Sequence, residues 1–108
     1  MLKKLENTAP ELHPFHPDLF RYNGKIFLLK ERLECDVEYK DNHYFIKYNP
    51  LDISVFSDTR DEVEDAFYFS FYSLYENFVV EDDKNLSAKA IALKGQLMKL
   101  INKVLDED

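Results

Sequence analysis

Residues 57–80 read SDTRDEVEDAFYFSFYSLYENFVV, a stretch that predicts a long helix around which the chain folds. Thr59 and Glu62 have the spacing of a capping box, in which a hydroxyl and a carboxylate satisfy free backbone N–H groups of the first turn. Acids crowd the same turns, where the helix dipole favours negative charge: Asp58, Asp61, Glu62, Glu64 and Asp65. We therefore predict a helix over residues 58–80.

The apolar side chains of this helix cover more of its circumference than one sheet can bury. Those expected to pack on a sheet recur at spacings of three and four: Val63, Ala66, Phe67, Phe71, Leu74, Tyr75 and Phe78. Tyr68, Phe69 and Tyr72 lie off this stripe and need a second packing partner. Two interpretations stay open for them: core packing against a second helix, or a surface that binds a partner protein or a second copy.

The segments before this helix predict an antiparallel sheet of three to five strands. Asn23-Gly24 between two apolar runs indicates a hairpin, because both turn positions require positive φ. Residues 32–40 alternate between apolar and charged side chains, and residues 43–48 follow after an Asp-Asn turn. Residues 53–56 predict a short further strand. The predicted fold class is α+β, with the long helix packed on one face of the sheet.

The rest of the chain completes a single predicted domain. Three prolines make residues 1–18 irregular, and we expect Leu12, Phe15 and Leu19 to pin this segment to the surface of the sheet-and-helix unit, residues 19–80. Residues 86–105 predict a C-terminal amphipathic helix from leucines at heptad-like spacing. Gly95 inside that helix costs about 1 kcal/mol, which indicates a close approach to another element.

Charge and cysteine content narrow the functional classes. Residues 1–57 carry 8 basic and 9 acidic side chains, a charge of −1, whereas residues 58–108 carry 6 and 12, a charge of −6. The acidic C-terminal half would repel a phosphate backbone, so we do not expect DNA binding, and a basic partner protein would suit it. One cysteine fits a reducing, cytoplasmic setting. No apolar run is long enough for a membrane span, and the N-terminal residues lack the apolar core of a signal peptide.

No motif in the sequence predicts a catalytic, metal or cofactor site. His13 and His16 lie in a proline-rich stretch and would need a third ligand such as His43 from elsewhere. Cys35 falls on the apolar face of a strand, which favours a buried thiol over a nucleophile. The alternative is a small-ligand-binding protein or enzyme with a pocket between sheet and helices, lined by three tyrosines: Tyr39, Tyr44 and Tyr48.

The order of strand, strand, short strand and acid-capped helix resembles the HicB-like antitoxin family. The residues that carry the resemblance are YFIKYNPLD at 44–52 and SDTRDEVEDA at 57–66, within a matching region of about residues 32–80. The resemblance implies a partial ferredoxin-like fold, a three-stranded antiparallel sheet with a helix on one face. It also implies a toxin–antitoxin role, in which the antitoxin neutralises a small RNA-cleaving toxin.

These observations predict a non-enzymatic protein-interaction module of HicB-like type. We expect an antitoxin or regulator that binds a small basic partner protein, forms a homodimer and uses no cofactor. The residues predicted to bind the partner are Tyr68, Phe69 and Tyr72.

Overall fold

The computed structural model describes residues 11–80 and 82–107 and has an α+β fold, as predicted. The first ten residues of the predicted irregular segment lie outside the described residues. The elements in chain order are β1 (Leu19–Tyr22), β2 (Lys25–Leu29), β3 (Asp36–Lys40), β4 (His43–Tyr48), β5 (Ile53–Ser57), α1 (Arg60–Leu74), α2 (Ala88–Leu100) and β6 (Ile101–Asp106). A π-helical turn, Tyr75–Val79, extends α1, and short 3₁₀ turns lie at Asn49–Leu51 and Asp83–Asn85.

The strands divide between two antiparallel sheets of three strands each. Sheet 1 has the order β1-β2-β6, and sheet 2 has the order β3-β4-β5. The Asn23-Gly24 turn joins β1 to β2 with φ of 50° and 77°, as its sequence predicts. A second turn with positive φ, at Asp41 and Asn42, joins β3 to β4. Residues 32–34, predicted as strand, lie before β3.

Helix α1 lies against both sheets and supplies the centre of the core. The Thr59 hydroxyl accepts a hydrogen bond from the Glu62 N–H (3.1 Å), which is the hydroxyl half of the predicted capping box. Phe67 contacts Tyr48 of sheet 2 edge to face, and Phe71 contacts Phe27 of sheet 1 in the same way. One contiguous cluster of buried side chains therefore joins the two sheets through the helix.

The second partner of α1 is sheet 1. The sequence left core packing against the C-terminal helix open, but the aromatic side chains beyond the stripe meet β1 and β2 instead. Tyr68 stacks on Phe20 with ring centroids 4.6 Å apart, and Tyr72 contacts Tyr22 at 5.2 Å. Helix α2 packs against the π-helical turn that follows α1.

The predicted helix over residues 86–105 is wrong after Leu100. Helix α2 begins after a Ser87 N-cap, whose hydroxyl accepts the Ala90 N–H, and Ile101–Asp106 is a strand that pairs with β2. Two backbone hydrogen bonds enclose this pairing: the Lys30 N–H donates to the Leu100 carbonyl, and the Glu107 N–H donates to the Gly24 carbonyl. The strand supplies hydrogen-bond partners to the second edge of β2. This pairing joins residues far apart in the chain, so the helical spacing of apolar residues within 86–105 could not predict it.

Gly95 does not mark a close approach. It is exposed on α2, and a Cβ built there meets nothing within 4 Å. The N-terminal segment is held by one apolar residue of the three expected, since Phe15 is buried while Leu12 and Leu19 are exposed. Arg60 adds to this attachment, because its guanidinium donates to the carbonyl of His13 (2.7 Å).

Candidate functional site

The three residues predicted to bind a partner lie on one side of α1 and differ in exposure. Tyr68 and Tyr72 are partly buried against sheet 1, and the Tyr72 hydroxyl accepts a hydrogen bond from the Asn23 side-chain amide (2.8 Å). Phe69 leaves 55% of its surface exposed, and its ring centroid lies 6.1 Å from that of Tyr22 in an edge-to-face arrangement. Only Phe69 of the three therefore presents most of its side chain to solvent.

Burial raises the pKa of the Tyr68 hydroxyl to about 12, and the nearby Glu64 carboxylate adds to this effect. A phenol held so far above neutral pH stays protonated and cannot act as a base near pH 7. Its ring packs between Phe15 and Phe20. These surroundings suit Tyr68 to packing within the fold.

An exposed row of side chains runs along α1 toward Phe69. Asp61, Asp65 and Phe69 are spaced four residues apart, so they lie on one face of the helix, and all three are exposed. We call these three residues the acidic–aromatic row. Within residues 11–80 and 82–107, neither Asp61 nor Asp65 forms an ion pair, whereas Glu64 is paired with Arg60 at 2.6 Å. The row combines negative charge with an exposed ring.

A groove lies where the row ends, between α1 and the start of β5. Its volume is about 280 Å³. The lining residues are Leu51, Asp52, Ile53, Ser54, Phe69, Ser70, Ser73 and Leu74. Sequence reasoning missed this groove, because residues of the turn before β5 and of the second half of α1 meet only in the folded chain.

The predicted tyrosine pocket is only partly assembled. A cleft of about 380 Å³ includes Tyr48, with a lining completed by Lys30, Glu31, Arg32, Leu33, Glu34, Pro50, Lys99 and Leu100. Tyr39 and Tyr44 do not line this cleft; they face each other across β3 and β4 with ring centroids 4.8 Å apart. The lining holds three cations, Lys30, Arg32 and Lys99, and two carboxylates; Arg32 Nε lies 3.3 Å from Glu34 Oε2, which leaves an excess of one positive charge.

The histidines and the cysteine are not brought together. His16 lies 3.2 Å from Glu34 and His43 lies 3.2 Å from Asp58, at separate places. Among the residues that the structure describes, no group of three histidine, cysteine or carboxylate side chains could hold a metal ion. Cys35 is buried, and burial raises its pKa to about 12, so the thiol has little thiolate at neutral pH.

None of the helices in the described part of the chain has the length and apolar character needed to cross a membrane. Comparison of the chain with protein-family models, with curated proteins and with solved structures returned no match.

Proposed function

We propose that this chain is a non-enzymatic protein-interaction module of HicB-like type, an antitoxin or regulator that binds a small basic partner protein. The observation that carries the proposal is the acidic–aromatic row, in which Asp61 and Asp65 lead to the exposed ring of Phe69. Carboxylates of this kind attract a basic protein over distance, and an exposed aromatic ring gives the contact its apolar anchor.

Within this proposal, the row is the contact surface and the other two aromatic residues support it. Tyr72 and Tyr68 hold α1 against sheet 1, which fixes the helix face from which Phe69 projects. The resemblance of residues 32–80 to HicB-like antitoxins supplies the partner class, a small basic toxin-like protein. The module acts in the cytoplasm as a homodimer, a setting that an unpaired, buried Cys35 suits.

A charge-reversal pair tests the proposed surface. The tagged wild-type chain and the variant D61K/D65K are used to capture proteins from cells that express the chain. Each reversal adds two charges, so the net charge rises from −7 to −3. The matched control E11K/D18K has the same net charge but changes exposed acids away from α1. We expect one basic protein to be retained by the wild type and the control and lost with D61K/D65K.

Two results would contradict the proposal. One is that the wild type captures no specific basic protein. The other is that D61K/D65K and E11K/D18K lose the captured protein equally, which would mean that net charge, and not the position of the charges, causes the loss. Phe69→Ala separates the anchor from the charges, since it should weaken binding at high salt as well as at low salt. The contribution of Asp61 and Asp65 to binding should decrease as the salt concentration increases, because salt screens their charges.

The cleft beside Tyr48 favours a second candidate, a small-ligand-binding protein. Its three cations, Lys30, Arg32 and Lys99, outnumber its two carboxylates, so a small anionic molecule is the ligand class. Titration with pyrophosphate, followed by NMR amide shifts, tests this candidate. Lys99→Glu should abolish the shifts, whereas Lys89→Glu on the exposed side of α2 should leave them unchanged. An absence of shifts near Lys30 and Leu100 in the wild type would eliminate it.

A further inference from the structure

Strand β5 forms an edge of sheet 2 that carries no charge. It pairs with β4 on one side, and no backbone hydrogen bond from the described residues reaches its other side. Each of the other five strands in the described part includes at least one lysine, arginine or aspartate, whereas β5 reads ISVFS. Charged side chains are the usual protection of a sheet edge against pairing with another chain, and β5 lacks it.

Both exposed phenylalanines of the described chain flank this edge. Phe56 is 62% exposed on the outer face of sheet 2, where its ring stacks on Phe45 at 5.6 Å. Phe69 is 55% exposed on the opposite side and lines the groove together with Ile53. A strand added beside β5 would point alternate side chains toward the groove and toward Phe56, because successive side chains of a strand point to opposite faces.

An aspartate flanks β5 at each end, and these two negative charges favour some binding partners of the free edge over others. Asp52 precedes the strand and Asp58 follows it, and both are exposed. If a second copy paired antiparallel with the register centred on Val55, Asp52 of each copy, in the turn before β5 (φ 55°), would come close to Asp58 of the other. Like charges directly opposite destabilise a strand pair, so the edge disfavours self-pairing in this register.

The same two charges favour an extended segment with basic residues six positions apart. An extended segment of seven residues spans about 20 Å from first to last, so its two ends reach beyond the five-residue strand to the turn residue Asp52 (φ 55°) and to Asp58, in either strand direction. The intervening residues would be uncharged, with one apolar side chain entering the groove of about 280 Å³. Asp58 also lies 3.2 Å from His43 Nε2, a contact at the surface that a lysine would compete with.

We infer that β5 and the adjacent groove bind an extended basic segment of the partner protein by strand addition to sheet 2. Backbone hydrogen bonds to the free side of β5 provide the attachment, and Phe56, Phe69, Asp52 and Asp58 select the sequence. This inference rests on the proposed function, because it specifies the part of a basic partner that docks and the place where it docks.

A synthetic peptide tests the inference without knowledge of the natural partner. The probe has seven residues, with lysine at both ends and alternating threonine and valine between them, and it is titrated at millimolar concentration into the full chain at low salt. We expect amide shifts concentrated in Ile53–Ser57 and along the groove side of α1. A peptide of the same sequence with glutamate at both ends should give none.

Three single variants report on the docking contacts. Phe56→Ala and Phe69→Ala should each weaken peptide binding about fivefold or more, the loss expected for an apolar anchor. Met98→Ala is the matched control, because Met98 on α2 is 54% exposed and lies outside the groove. Asp52→Lys should also weaken binding of the lysine peptide and allow weak binding of the glutamate peptide.

Several results would overturn the inference: no shifts with the lysine peptide, shifts away from β5, or equal binding of both peptides. A concentration-dependent dimer in sedimentation that Phe56→Ala dissociates would assign the edge to a second copy and overturn it as well. If the captured partner depends on Asp61 and Asp65 but not on Asp52 or Phe56, the proposed function stands and strand addition is wrong. If the peptide binds at β5 while no partner is captured, the inferred docking mode holds and the proposed function loses its support.

Discussion

Phe69 and Phe71 are two residues apart in α1 and have opposite surroundings. Phe71 is fully buried between Phe20 and Phe27 of sheet 1, whereas Phe69 is 55% exposed. The same residue type therefore serves the core at one position and the candidate contact surface at the other. Their difference arises from a rotation of about 200° around the helix axis between residues two apart.

Truncating these two side chains should separate their roles. We expect Phe71→Ala to lower the free energy of unfolding by about 3–5 kcal/mol, because it leaves a cavity in the core. Phe69→Ala should change it by less than about 1 kcal/mol, as is usual for exposed sites. Urea denaturation measures both, and Phe71→Leu provides a milder variant with a folded baseline. Equal losses at positions 69 and 71 would contradict the assignment of Phe69 to the surface.

Cys35 and Tyr68 predict a loss of stability at alkaline pH. Burial raises the pKa of each to about 12, above usual values of 9.0 and 10.0. The folded state thus keeps these groups protonated after the unfolded chain has released its protons. Their contribution is complete below about pH 9 and declines as the pH rises toward 12. In urea denaturation from pH 8 to 11, the decline above pH 10 should be shallower for Tyr68→Phe, and an unchanged slope would contradict this origin.

At the scale of elements, the boundary between α2 and β6 is the main departure from the sequence pattern. Leu86, Ala90, Leu93, Leu97 and Leu100 do form the inner side of the C-terminal segment, and Leu97 is fully buried. The pattern continues into Val104, which packs against the core from a strand instead. Over a short stretch, a strand with period two and a helix with period 3.6 can both point the same few apolar residues toward the core, so the pattern did not distinguish them here.

The two glycines should respond in opposite ways to alanine. Gly95→Ala should raise the free energy of unfolding by about 0.5–1 kcal/mol, because the helical position is open and alanine costs less chain entropy. Gly24→Ala should lower it by about 1–2 kcal/mol, since φ at this hairpin position is +77°. Thermal denaturation monitored by circular dichroism measures both. A loss of stability in Gly95→Ala would indicate a contact that α2 does not make in this fold.

The register of β2 with β6 can be tested through its terminal ion pair. Lys25 Nζ lies 2.8 Å from Asp106 Oδ1, and the two residues are cross-strand partners. We expect the single reversals Lys25→Asp and Asp106→Lys to lower the melting temperature and the double reversal to recover part of the loss. Lys25→Asp combined with Lys103→Asp is the control, in which no recovery should occur. Recovery in the control but not in the reversal would contradict the register.

At the scale of the whole molecule, α1 makes the two sheets depend on each other. Contacts pass from Phe27 in sheet 1 through Phe71 and Phe67 to Tyr48 in sheet 2. Within the described residues no strand of sheet 1 pairs with a strand of sheet 2, but the segment before β1 is hydrogen-bonded to the segment before β3: the Cys35 N–H donates to the Phe15 carbonyl and the Leu33 N–H to the Pro17 carbonyl. Side-chain packing on the helix and these two backbone hydrogen bonds together connect the sheets.

Removal of residues 101–108 should consequently unfold both sheets. The truncation deletes β6, exposes one edge of β2 and uncovers Phe27, which is fully buried in the intact chain. We expect the amide signals of β3, β4 and β5 to lose their native dispersion in NMR spectra along with those of sheet 1. Removal of Asp108 alone is the control and should leave the spectrum native. A truncated chain in which sheet 2 stays folded would contradict the dependence on α1.

Much of the local structure followed from short-range patterns. The Asn23-Gly24 dipeptide predicted the first hairpin, whose turn does have positive φ at both positions. Alternation predicted β4, and Thr59 as N-cap predicted where α1 begins. The stripe of Val63, Phe67 and Phe71 also identified the core face of the helix. Each of these features depends on steric preferences or on periodicity within a few neighbouring residues, so it can be predicted from the local sequence alone.

Long-range pairing was decided only in the tertiary structure. The sequence alone determined an α+β chain with an acid-capped, aromatic helix and an acidic C-terminal half. The fold decided that the strands form two sheets, that β6 returns to β2 from about 75 residues away, and that Tyr68 and Tyr72 meet β1 and β2. It also left β5 as an open edge beside the groove. Which strands become neighbours depends on the packing of the entire core, because any strand of suitable alternation offers the same backbone hydrogen-bonding groups.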